Sequence, residues 1–216
     1  MTDAQTRHRP TYTDKRLVLN NANLVEPIVR HRIQDSVFYK QHLYLTNEAT
    51  ILPIIVSHVH YVAGTDSLGR PSPFVCCLLR LLELAPSADI VQVYLTQLEY
   101  NQFKYLTAMV MMYVRLTATS AEVYTTLEPY LLDLRKLRIR HKNPQFSDDS
   151  IPVHYGLTYI DVWADELLTK ERVADLMLPR MVPRQQLVEQ GVVQPRTYHV
   201  DNESEEDELD YESDSD

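Results

Sequence analysis

The amino-acid sequence predicts a mainly α fold: a single multi-helix domain with a minor two-stranded β-hairpin and a disordered acidic C-terminal tail. Three observations lead there. Apolar residues recur at three- and four-residue spacing in one segment after another. Ser, Thr or Asn precedes several of these runs, where a helix needs a side chain to accept its first free amides. The period shortens to two at Leu137 and Ile139, and again at Ile151, Val153, Tyr155 and Leu157, as in two strands.

Residues 1–20 read as a flexible lead-in. Asn23 with Glu26 matches a capping box, and Pro27 falls in the first turn, where a missing amide is tolerated. Leu24, Ile28, Ile33 and Val37 continue that helix to about Lys40. Thr46 is placed to cap Asn47–Val62, which Pro53 should delay or kink. Gly64–Pro71 is a loop. Ser72 as N-cap, with Pro73 at the first helical position, opens a helix to about Leu84 that Pro86 ends.

Ser87 starts Ala88–Thr96, and Asn101–Leu116, the most apolar helix, is expected at the centre of the core. Thr119 and Glu122 form a second capping box, opening a helix that meets Pro129. Leu131, Leu134 and Leu137 keep a three-residue stripe beyond it. The two alternating runs then close a hairpin around Asn143–Ser150. Thr158 and Asp161 cap a helix bearing Trp163, Leu167 and Leu168, and Glu171–Leu178 forms a last short helix before Pro179. The helical domain is thus expected over 21–184, a partial helix and linker over 185–200, and the tail over 201–216.

Charge is unevenly placed. Ten of the thirty acidic side chains fall in Asp201–Asp216, which holds no Lys or Arg, so the net charge of −9 belongs to the tail. With only Leu209 and Tyr211 as sizeable apolar groups, the tail cannot offset the entropy of ordering. Within it, Ser204, Ser213 and Ser215 stand among carboxylates, as an acid-directed kinase prefers. Cys76 and Cys77 are adjacent in an apolar run, which suits packing in a reducing compartment. The polar N-terminus and the shortness of the apolar runs predict a soluble intracellular protein with no membrane partner.

No catalytic constellation survives inspection. Gly64–Pro71 has the outline of a phosphate loop, but Arg70 stands where Lys is required and Pro71 where a metal-binding hydroxyl is required. His58 and His60 are two apart, do not share a helix face, and have no further ligand cluster nearby, so no metal is expected. Cys77 has apolar neighbours rather than a base, and Asp165 and Glu166 diverge on a helix. No cofactor or small-molecule substrate is expected. The dense basic cluster is Arg135, Lys136, Arg138, Arg140, His141 and Lys142. It is either a solvated helix end or a surface for an acidic partner or an RNA backbone.

A longer pattern runs through the whole domain. Tyr113-Val114-Arg115-Leu116-Thr117, then Tyr124, Leu127-Glu128-Pro129 and Asp133-Leu134-Arg135-Lys136, resemble the central signature of the pre-mRNA-splicing factor 38 family. Pro71-Ser72-Pro73-Phe74 is similar to that family's Pro-Thr-Pro-Phe. Asp165-Glu166-Leu167-Leu168, Glu171-Arg172-Val173 and Leu178-Pro179-Arg180 resemble its C-terminal part. The likeness covers roughly Leu24–Arg184 in unbroken order, departing in the Gly-poor loop at 63–71 and at Pro53.

The resemblance implies a non-enzymatic nuclear scaffold of the precatalytic spliceosome, associated with the tri-snRNP and needed for activation. It also implies two partners, a zinc-finger splicing protein and a homologue of microfibrillar-associated protein one. Arg172 and Arg180 join Arg135, Lys136, Arg138, Arg140 and Lys142 as candidate partner contacts. Direct RNA binding through 135–142 is the alternative.

Overall fold

A computed structural model describes residues 19–100, 102–146 and 150–196. The tail, its three serines and most of the lead-in lie outside them. The α-helices are α1 (Pro27–Asp35), α2 (Glu48–His58), α3 (Pro73–Leu84), α4 (Ala88–Thr96), α5 (Lys104–Thr117), α6 (Ser120–Leu127), α7 (Ile160–Thr169) and α8 (Arg184–Glu189). Strands β1 (Lys136–Phe146) and β2 (Pro152–Tyr159) pair antiparallel, as do the two-residue strands β3 (Arg172–Val173) and β4 (Leu176–Met177).

Helix α5 is the centre of the core. Every side chain from Leu106 to Leu116 is buried, and α2, α3, α4, α6 and α7 pack on it. The Trp163 indole joins three helices: its N–H donates to the Ala108 carbonyl at 3.0 Å, and its ring meets Phe74 edge-on at 5.9 Å. Cys76 and Cys77 are fully buried in α3. Burial pushes both thiols up, Cys76 to about 12, so neither is an activated nucleophile.

Several local expectations hold. Ser72 caps α3 with Pro73 at its first position, and α3 ends at Ala85 in the left-handed region before Pro86. Thr119 and Glu122 make the reciprocal capping box of α6. Helix α6 stops at Leu127, and Glu128–Leu132 continues as a 3-10 turn, which sets the bent junction at Pro129.

Others are corrected. The amide of Ala22 is taken by the Asn20 side chain, in a 3-10 turn over Asn21–Leu24, so Asn23 and Glu26 form no capping box. Helix α1 ends at Asp35 because Ser36 takes over: its hydroxyl donates to the Ile33 carbonyl and accepts from the Tyr39 amide. A π-helical turn over Tyr39–Leu43 follows. Asn47, not Thr46, caps α2, with Thr50 completing the box. Pro53 lies inside α2 without breaking it, because the carbonyl left unbonded belongs to exposed Ala49 and can meet water. The helix ends at His58, since Val62 leaves to pair with β1.

Leu134 is exposed whereas Leu137 is buried, so the three-residue stripe ends before β1. Thr158 belongs to β2, opposite Leu137, and the N-cap of α7 is Tyr159 without a side-chain bond. The expected helix over Glu171–Leu178 is a hairpin instead. Ala174 and Asp175 take φ of 47° and 62°, the left-handed pair that a tight two-residue turn requires.

That turn leans on the loop at 63–71. The amide and hydroxyl of Thr65 both donate to the Asp175 carboxylate at 2.8 Å. A Cβ at Gly64 would press into the Ala174 carbonyl, so only glycine admits this approach. Gly64→Ala should therefore lower stability by about 2–3 kcal/mol through forced backbone displacement. Gly191→Ala meets open space at a left-handed φ of 70° and should cost only about 1 kcal/mol. Urea midpoints of the two variants would test this ordering; equal shifts would refute the close-packing account.

Candidate protein-interaction surface

The basic cluster lies along a strand and not at a helix end. Alternation places Lys136, Arg138 and Arg140 on one side of β1, while Leu137 on the other side is buried in the core. Arg138 stands opposite Leu157 and Arg140 opposite Tyr155, so β2 adds apolar and aromatic side chains to the same outer face. Both Tyr155 and Leu157 are exposed.

Tyr61 completes the face. The backbone of Val62 bridges β1: its amide donates to the Arg138 carbonyl at 2.8 Å, and its carbonyl accepts the Arg140 amide at 3.0 Å. This sets the Tyr61 ring against Tyr155, edge-on at 5.5 Å. The Arg138 guanidinium lies 5.7 Å from the centre of the Tyr155 ring, and that of Arg140 6.0 Å from the Tyr61 ring. A guanidinium over an aromatic ring keeps its in-plane N–H groups for a carboxylate or phosphate. Neither Arg138 nor Arg140 has a carboxylate within ion-pair distance among the described residues.

The remaining candidates are placed differently. Arg135 is engaged by Asp133, with Nη2 to Oδ2 at 2.6 Å and Nε to Oδ1 at 3.0 Å, at the entry to β1. Lys142 pairs with Asp175 at 3.7 Å. Arg172 pairs with Glu26 at 2.7 Å and donates to the Asp175 carbonyl at 3.0 Å, bracing the 174–175 turn. Arg180 is exposed and lines a separate groove of about 590 Å³ together with Arg115, Tyr124 and Lys170. Among the seven candidates, then, Lys136, Arg138 and Arg140 share one open face.

The discarded chemistries also have definite places. Asp66 accepts the amides of Leu68 and Arg70 at 3.0 and 2.8 Å, taking donors a phosphate would need. His58 packs on Phe38 and His42, 5.4 and 4.6 Å between ring centres, whereas His60 is exposed. Asp165 is exposed, and Glu166 pairs with Lys170 at 2.7 Å.

Comparison with known proteins settles the lineage. Residues 15–191 match the model of the PRP38 family. The chain belongs to the PRP38 family. It is 38% identical to pre-mRNA-splicing factor 38 of Schizosaccharomyces pombe, over 80% of this chain and 75% of that protein. It is 33% identical to pre-mRNA-splicing factor 38A of Danio rerio, over 87% of this chain and 56% of that one. The chain thus spans only about half the length of some PRP38 relatives. Among solved structures it matches a chain in the crystal structure of the Snu23–Prp38–MFAP1(217–258) complex of Chaetomium thermophilum. That match has a TM-score of 0.75 and 42% identity, covering 84% of this chain and 88% of that one.

The motifs on which the resemblance rests prove to be fold determinants. Arg115 is buried in α5, and its Nε donates to the Leu167 carbonyl at 2.7 Å, satisfying an acceptor in the last turn of α7. Ser72 caps α3, and Asp133 with Arg135 fixes the turn into β1. Sequence reading took Tyr155, with Phe146, only as a nearby stacking candidate and left Tyr61 and Leu157 out of the site. Tyr155 and Leu157 were legible in the phase of β2, while Tyr61 is brought in only by the tertiary bridge at Val62.

Burial pushes the Asp175 carboxyl up, but the Thr65 amide and hydroxyl, Lys142 and Arg172 outweigh it and hold it below the usual carboxylate range. A depressed folded value adds stability that is present above the unfolded value of about 4 and lost as pH falls through the folded one. Asp175→Asn should therefore lower the urea midpoint near pH 7, with the gap closing towards about pH 3. A gap of the same size at both would show that the carboxylate charge is not the source.

Proposed function

We propose that this PRP38-family protein is a non-enzymatic scaffold of the spliceosome, acting in the nucleus with the tri-snRNP in the precatalytic complex and required for its activation. The observation that carries this reading is the likeness to a chain of the Snu23–Prp38–MFAP1(217–258) complex across most of both chains. Relatives named as splicing factors, at 31–38% identity, support it. On this reading the partners are a zinc-finger splicing protein and a homologue of microfibrillar-associated protein one. The outer hairpin face of Arg138, Arg140, Tyr61, Tyr155 and Leu157 contributes a contact to an acidic segment of a partner.

A second reading is favoured by the lack of carboxylate partners at Arg138 and Arg140 among the described residues: the same face takes an RNA backbone. The two separate by salt response, since each phosphate neutralised steepens the dependence of affinity on salt.

Arg138→Glu with Arg140→Glu should leave folding nearly intact, because exposed cation–π contacts contribute about 0.5–1 kcal/mol each. The double variant should recover markedly less spliceosomal protein from nuclear extract than the wild type. Equal recovery would remove the hairpin from the interface, and a wild-type chain that recovers no tri-snRNP component would remove the scaffold reading itself.

A further inference from the structure

The groove beside Arg180 mixes two chemistries. Leu168, Met177, Met181 and Tyr124 give it an apolar floor, and Lys170 and Arg180 bring cations to its edge, with Glu171 as an acidic neighbour. Lys170 already shares Glu166, but Arg180 forms no ion pair with a described residue. Such a site suits a short segment that combines apolar side chains with several carboxylates.

The chain itself leaves the domain at this point. Tyr124, Leu168 and Met181 belong both to the groove and to the smaller cluster on which Leu187 and Val193 pack. Further along, Arg196 donates to Glu128 at 3.1 Å. Glu128 lies four residues after Tyr124, one turn along the same helical face, or roughly 6 Å away. The described chain therefore stops within a few residues' reach of the groove. Twelve residues lie between Arg196 and Leu209, so the thirteen steps span up to about 43 Å. The sequence beyond offers what the groove lacks: Glu205, Glu206, Asp207, Glu208, Asp210 and Glu212 surround Leu209 and Tyr211, with no cation between.

We propose that the segment Glu205–Tyr211 of this same chain occupies the groove, placing Leu209 and Tyr211 on the apolar floor and its carboxylates against Arg180 and Lys170. Tethering gives the segment an effective concentration on the order of millimolar, so a weak contact suffices to keep it seated. An acidic, apolar segment of another protein would meet this built-in competitor first. Phosphate on Ser204, next to Glu205, would add charge beside the cations and strengthen the seat.

The test places the photoreactive residue p-benzoylphenylalanine at position 211 of the full chain and maps its cross-links by mass spectrometry. The expected products are intramolecular adducts on Met177 or Met181, falling about tenfold with Arg180→Glu and at about 1 M salt, where screening shortens the reach of charge to about 3 Å. Arg180 is exposed, so the variant keeps its fold, and circular dichroism verifies it. Adducts on the Lys136–Lys142 strand, adducts to a second copy, or none would overturn the proposal. So would groove adducts indifferent to Arg180→Glu.

Discussion

Helix α5 has no solvent face from Leu106 to Leu116, and this constraint organises the rest of the molecule. A helix buried all round must be covered on every side, and α2, α3, α4, α6 and α7 do so. Burial also obliges polar groups to find partners. The Trp163 indole and the Arg115 guanidinium, on different helices, each donate to a main-chain carbonyl across the α5–α7 interface, fixing how those helices sit. Removing either donor strands a buried acceptor or opens a cavity at the point where most elements meet.

Strain accumulates away from that centre and is held by specific side chains. Gln97, Leu98 and Glu99 are successive residues with positive φ after α4. The Gln97 side-chain amide restrains this turn by bonding both the amide and the carbonyl of Phe103. Ala174 and Asp175 are likewise left-handed without glycine, and the loop at 63–71 holds them through Thr65. In both places a non-glycine residue keeps a costly backbone because a neighbouring segment bonds it there.

The helical core was legible because its signals are local. Ser72, Thr119 and the apolar stretch of α5 each announce themselves within one turn, as does the alternation in β1 and β2. The larger errors of element type fall where a long-range contact decides the local form. Val62 is drawn off α2 by β1, and Glu171–Leu178 folds back as a hairpin because Asp175 finds Thr65, a partner 110 residues away. The same holds for the candidate surface. Arg138 and Arg140 were visible as charge, but strand alternation and ion pairing had to separate them from Arg135, Lys142 and Arg172.

The backbone bridge between Val62 and Ile139 joins segments 77 residues apart, and the Tyr61, Arg140 and Tyr155 side chains come together only once it has closed. Loop closure over such a span belongs to the slow, non-local part of folding. A nascent or partly opened chain thus carries the arginines but not the face. On the reading proposed above, a binding partner that recognises that face would select finished copies, and assembly would act as a check on folding.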